Sequence, residues 1–141
     1  MEKFIEELEK NKITIIRTWI SYPFVLQLLK DYSIDENLFI RRYSFAVLEH
    51  FIQLTKKDEK TEKNSLVIDF LKYLKKLNLK INELFLLFSA FRDSLVDFSF
   101  EKELYSKELI KNVESFDIEK VDYLMNTYLE LIENLKAKLG N

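Results

Sequence analysis

Glycine and proline are almost missing from this chain: Gly140 and Pro23 are the only ones among its 141 residues. Proteins place these two residue types at tight turns, strand bulges and helix ends. A sandwich or barrel needs a turn about every 8–12 residues, and this sequence has no such supply. Apolar residues instead recur at three-to-four spacing along nearly the whole length, the period of helices with one buried face. The expectation is an all-α fold, a single helical bundle of five to seven helices spanning residues 1–141, with a long C-terminal helix.

Hydrophobic residues make up 48% and charged residues 33% of the chain, a balance that builds a core rather than a disordered coil. Chains of this length bury about 68% of their unfolded surface, enough for one self-sufficient core. The absence of Cys excludes disulfides, thiolate zinc sites, iron–sulfur clusters and Cys nucleophiles. A single Gly excludes glycine-rich phosphate cradles, which need several. The net charge of -2 argues against nucleic acid, whose binding requires clustered cations. Acidic residues and Lys near the N-terminus do not make a secretory signal, and apolar runs such as Leu84 to Phe88 fall far short of the about 20 residues that span a membrane. A cytoplasmic protein with no membrane contact is expected.

The periodicity predicts a first helix over Glu2 to Tyr22 that Pro23 ends, then a short apolar turn from Phe24 to Leu29. Ser33-Ile34-Asp35-Glu36 has the form of a capping box, with Ser33 as cap, and opens a long helix containing Phe39, Tyr43, Val47 and His50. A charged loop covers Lys56 to Asn64. Asn64 or Ser65 then caps a helix that includes Leu66, Val67, Phe70, Leu71 and Leu74. Leu77-Asn78-Leu79-Lys80 reads as a connection to the most apolar helix, Ile81 to about Phe100, expected at the centre of the bundle. From Ser106 the pattern is helical to Leu139, with a break near Ser115-Phe116-Asp117 and Gly140 at the place of a left-handed cap.

Within that last stretch Ile118, Val121, Met125, Tyr128, Ile132, Leu135 and Leu139 follow strict 3-4-3-4 spacing, a heptad seam. The seam serves either intramolecular packing or pairing in a homodimer, and it can carry a signal to a downstream domain or partner protein. Leu124, Leu129 and Leu131 widen the stripe toward the breadth of an ordinary core face.

No catalytic residue and no metal site stand out. His50 is the one histidine, so sites built on several His are excluded by count. One axial His in a Phe-rich helical pocket is all a haem needs, which leaves a haem or small-molecule carrier as the alternative reading. Arg92 lies among Phe85, Phe88 and Val96, where a buried guanidinium must find a partner. It either pairs with an acid of another helix at the bundle rim or holds an anionic ligand; Asp93 points about 100° away round the helix and is expected to be a poor partner. Trp19 and Phe88 complete the set of candidate ligand-binding residues, with aromatic core filling as the plain account of both.

Phe4-Ile5-x-x-Leu8 leading to Ile16-Arg17-Thr18-Trp19, and Leu77-Asn78-Leu79-Lys80-Ile81-Asn82-Glu83-Leu84-Phe85 leading to Phe91-Arg92-Asp93-Ser94-Leu95, resemble the N-terminal sensory domains of RsbR-type stressosome proteins. Asn78 stands about where that family carries a Gly. The resemblance implies a globin-like fold without haem, a homodimer, and a non-catalytic role as signal input to an output domain at the C-terminus. It therefore implies either an input module of a longer protein or a stand-alone relative.

Overall fold

The computed structural model describes residues 2–56, 65–116 and 121–139, the side chains at 54, 65 and 135–139 aside. Among these residues the fold is all-α. The elements are α1 (Glu2–Lys10), α2 (Lys12–Ser21), α3 (Pro23–Asp31), α4 (Glu36–Leu38), a π-helical segment (Phe39–Tyr43), α5 (Ser44–Thr55), α6 (Ser65–Lys76), α7 (Ile81–Glu101), α8 (Lys107–Ser115) and α9 (Asp122–Leu139). Helix α7 packs against α2, α3, α8 and α9, the central position its apolar sequence predicts, while α6 packs against α5 and α9. The charged loop expected at 56–64 falls outside the described residues beyond Lys56, as do Ile118 and the Gly140 cap.

The helix expected over Glu2 to Tyr22 is two helices. At Asn11 the backbone leaves helical geometry (φ -125°, ψ 33°), and the Asn11 amide donates to the Glu7 carbonyl at 2.8 Å. An Asn side chain that bonds the local backbone offers an alternative to the helical ladder. The bend lets Phe4, Ile5 and Leu8 bury together with Ile15, Ile16 and Trp19. Phe24 to Leu29, expected as a turn, is helical in α3. Pro23 occupies its first turn, where the missing N–H would lack a partner in any case. One proline thus ends α2 and begins α3.

Ser33 does not cap the long helix. Asp35 does, accepting from the Leu38 amide at 3.2 Å, because Ser33 is already committed to ending α3 in the left-handed region (φ 52°). The same termination recurs at Asn78 (φ 62°) after α6 and at Glu103 (φ 57°) after α7. In each case the next residue is apolar, and its amide reaches back five residues: Ile34 to Leu29, Leu79 to Leu74 and Leu104 to Ser99. These are Schellman motifs built without glycine.

The helix from Glu36 to Thr55 contains one wide turn, in which the Ser44 amide bonds the Phe39 carbonyl. This π segment carries one extra residue per turn, and it brings both Phe39 and Tyr43 to the inside. The buried residues form one contiguous cluster with Trp19 in its aromatic centre, 5.2 Å from Phe39 and 5.0 Å from Phe91 between ring centroids. Phe51 joins Phe91 to Phe116, and Phe70 packs on Phe39 and Tyr43.

Candidate functional site

Of the four candidate ligand residues, Trp19, Phe88 and His50 are buried and Arg92 is half-exposed. Trp19 is fully buried, and its indole Nε1 donates to the Leu87 carbonyl at 3.0 Å, tying α2 to α7. A buried Trp needs such a partner, so its polar atom is engaged within the core. Phe88 is buried as well. His50 lies inside the bundle with its ring edge-on to Phe116 at 6.5 Å, beside the Phe51 and Phe91 rings that also pack on Phe116. A porphyrin approaching that imidazole from the Phe116 side would have to displace these rings.

Arg92 is not buried: its side chain is 39% exposed. The expectation that Asp93 is a poor partner is also not met, since Arg92 Nε stands 3.6 Å from Asp93 Oδ1. The arginine stem is long enough to fold back over the angle between adjacent residues. In a solvated position such a pair contributes at most about 1 kcal/mol.

The heptad seam is divided. Val121 and Tyr128 are buried, and Leu124 is buried with them, so the inward face runs 121, 124, 128. Met125 and Ile132 are half-buried and flank an exposed Leu129. Ile118 lies outside the described residues, as do the side chains of Leu135 and Leu139. The seam residues described are therefore used in packing the chain on itself: Met125 and Ile132 lie against the edge of the same core, and Leu129 beside them is exposed.

What sequence reasoning missed is a polar joint where α3, α6, α7 and α9 meet. Tyr128 donates from its hydroxyl to the Leu79 carbonyl at 2.6 Å in a buried position, fastening α9 to the α6–α7 connection. Glu83 accepts from the Lys80 amide at 3.0 Å, closing the start of α7, and also accepts from the Tyr32 hydroxyl at the end of α3. Burial, with the nearby Tyr32 and Glu83, pushes the Tyr128 phenol up to about 12. The hydrogen bond to Glu83 raises the Tyr32 phenol, burial adding to it. A second tyrosine–carboxylate pair, Tyr22 to Asp97 at 2.5 Å, joins the α2–α3 junction to α7; burial and then Asp97 hold its phenol well above the usual range. Lys80-x-x-Glu83 was the one local signal for the joint, because a Glu at the third helical position commonly reaches back to the cap amide. The heptad spacing places Tyr128 on the seam, and nothing local marks its hydroxyl as a donor to Leu79.

An open cleft of about 430 Å³ lies elsewhere, between α1 and the end of α5, lined by Glu2, Ile5, Glu6, Glu9, Thr55 and Lys56. The Lys56 ammonium bonds Glu9 and holds that carboxyl below its usual range. Among the described residues no group of three or more His, Cys, Asp and Glu could hold a metal ion, and no helix is long and apolar enough to cross a membrane. Comparisons with protein-family models, with curated proteins and with solved structures return no match.

Proposed function

We propose that this chain is a non-catalytic bacterial signal-input domain, globin-like and cytoplasmic, that acts as a homodimer and transmits a conformational change through α9 to a downstream domain or partner protein. The observation that carries the reading is the Tyr128–Leu79 hydrogen bond. It couples α9 to the connection between α6 and α7, so a shift of the core reaches the C-terminal helix through one directional contact and the packing of Val121 and Leu124. The resemblance to RsbR-type sensory domains supports the same role. The tyrosines of the joint hold and orient helices; they face backbone and carboxylate acceptors, an arrangement suited to a mechanical coupling.

Because the chain contains no Cys, Asn134→Cys introduces a unique site for a spin label on an exposed position of α9. Glu83→Gln perturbs the joint from α7 without touching α9. The expected result is a change in label mobility that the Tyr128→Phe background abolishes. A label spectrum indifferent to Glu83→Gln in both backgrounds overturns the reading of α9 as the relay.

A further inference from the structure

The π turn keeps Phe39 and Tyr43 inside and leaves Arg41 and Arg42 exposed side by side; turns of this kind recur at functional sites. Arg42 lies over the Tyr43 ring, its guanidinium carbon 5.6 Å from the centroid, and reaches Asp69 of α6 at 4.0 Å. Tyr43 in turn packs on Tyr73, the ring centroids 5.4 Å apart with 31° between the planes. Through these contacts the π turn and the outer face of α6 make one continuous surface. By the 100° step of an α-helix, Asp69, Tyr73 and Lys76 lie within about 60° of one another, and Lys72 stands about 40° beyond Lys76. Lys72 and Lys76 are exposed and Tyr73 is half-buried. Even with Glu36, five positions before Arg41, the surface carries four cations to two carboxylates, on a chain whose net charge is -2. Among the described residues no ion pair engages Arg41, Lys72 or Lys76. The pair of Arg42 with Asp69 is solvated, at 51% and 47% exposure of the side chains, and such pairs hold their partners weakly.

We propose that this surface docks an acidic helix of a partner protein, one with carboxylates a turn apart, through charge complementarity; the site is independent of the α9 relay. Spacing selects the occupant. Lys72 and Lys76 are about 6 Å apart along α6, the interval between carboxylates at i and i+4 of a facing helix. The arginines stand on the neighbouring helix, at the about 8–10 Å axis separation of packed helices. A lone phosphate reaches only part of such a row, whereas an acidic helix spans it. Arg42 with Tyr43 and Tyr73 forms the middle of the surface, and Arg and Tyr are residue types that anchor protein interfaces. The half-buried Tyr73 ring offers a seat for an apolar side chain between the partner's acids. Nucleic acid asks for a larger cluster of cations than this acidic chain presents here.

The charge arrangement dictates the test. The probe is a synthetic alanine-based helix with Glu at every fourth position and Leu between, and the same peptide with Gln in place of Glu is its control. Titrated into the full chain at low salt, the Glu peptide is expected to bind and the Gln peptide to stay free. Amide shifts in nitrogen-15 NMR are expected to be confined to residues 39–43 and 69–76. Lys72→Glu/Lys76→Glu weakens binding about tenfold or more, and added salt weakens it in the wild type. Asp69→Asn moves the other way: it removes the carboxylate that competes for Arg42 and tightens binding severalfold, a gain that damage to the fold does not produce. Circular dichroism checks folding of each variant, as these positions are solvated. Failure of the Glu peptide to bind, equal affinity of the wild type and Lys72→Glu/Lys76→Glu, or amide shifts spread over the whole surface overturns the proposal. Oligothymidylate or inorganic pyrophosphate binding the same residues more tightly than the Glu peptide assigns the surface to nucleic acid or to a small anion, and overturns it too. The label on α9 plays no part in these readouts, so the relay can fail while this surface binds, and the reverse.

Discussion

The hydroxyl of Tyr128 donates to the carbonyl of Leu79 across 49 positions of sequence at 2.6 Å, in a buried environment. Leu79 is the residue after the left-handed Asn78, so the acceptor is presented by a backbone that the Schellman motif holds in place. The hydrogen bond therefore joins the least regular point of the α6–α7 connection to the middle of α9.

Tyr128→Phe leaves that buried acceptor without the phenol. A loss of about 1–3 kcal/mol in unfolding free energy is expected, with α9 the first element to lose amide protection in hydrogen exchange. Tyr32→Phe, which removes a bond to Glu83 nearer the surface, should cost less. Equal losses for the two variants in urea titrations would refute the special standing of Tyr128.

Alkaline pH should act on the same joint. The folded state holds the Tyr128 proton up to about 12, against an ordinary phenol value of 10.0, and Tyr22 is shifted in the same direction. The folded chain thus binds more protons than the unfolded one in that range, and stability falls as pH rises. The tyrosine contribution is intact below pH 10 and declines between 10 and about 12. Ultraviolet titration of tyrosinate should show these two phenols ionising above the ordinary phenol range. Ionisation of all tyrosines in one step near 10.0 would contradict it.

Glycine at the left-handed helix ends should stabilise the protein. A residue with a Cβ costs about 1–2 kcal/mol in that conformation, less for Asn than for Ser or Glu because its short side chain bonds locally. Ser33→Gly and Glu103→Gly are each expected to raise stability by about 0.5–1 kcal/mol, and Asn78→Gly by less. Thermal unfolding midpoints that fall in all of these variants would mean that the side chains make compensating contacts.

These helix ends show where sequence reading reached and where it stopped. The connection Leu77 to Lys80 and the extent of α7 from Ile81 were legible, since an apolar stripe stops and restarts there. Ser33, followed by Asp35 and Glu36, satisfies a capping pattern for one helix while its backbone is occupied by the end of another. Asn11 carries no such local signal: an Asn within a periodic stretch breaks a helix only when packing on both sides rewards the bend. For the candidate site, the exposed position of Arg92 and its pairing with Asp93 depend on which side of α7 its neighbours cover.

The sequence by itself determined that the chain is all-α, that Pro23 closes the helix carrying Trp19, and that α7 takes the central position, packed against α2, α3, α8 and α9. Those properties come from apolar period and from proline geometry, both local in the chain. Only the tertiary structure decided that Val121 and Tyr128 are the deeply buried seam residues while Met125 and Ile132 lie at the core's edge, that Trp19 donates to Leu87, and that Tyr128 locks onto Leu79. Periodicity specifies that a helix has a buried face and leaves its partner open. Partners are selected by the packing of distant segments and by the need of each buried donor for an acceptor, conditions that exist only once the chain has folded.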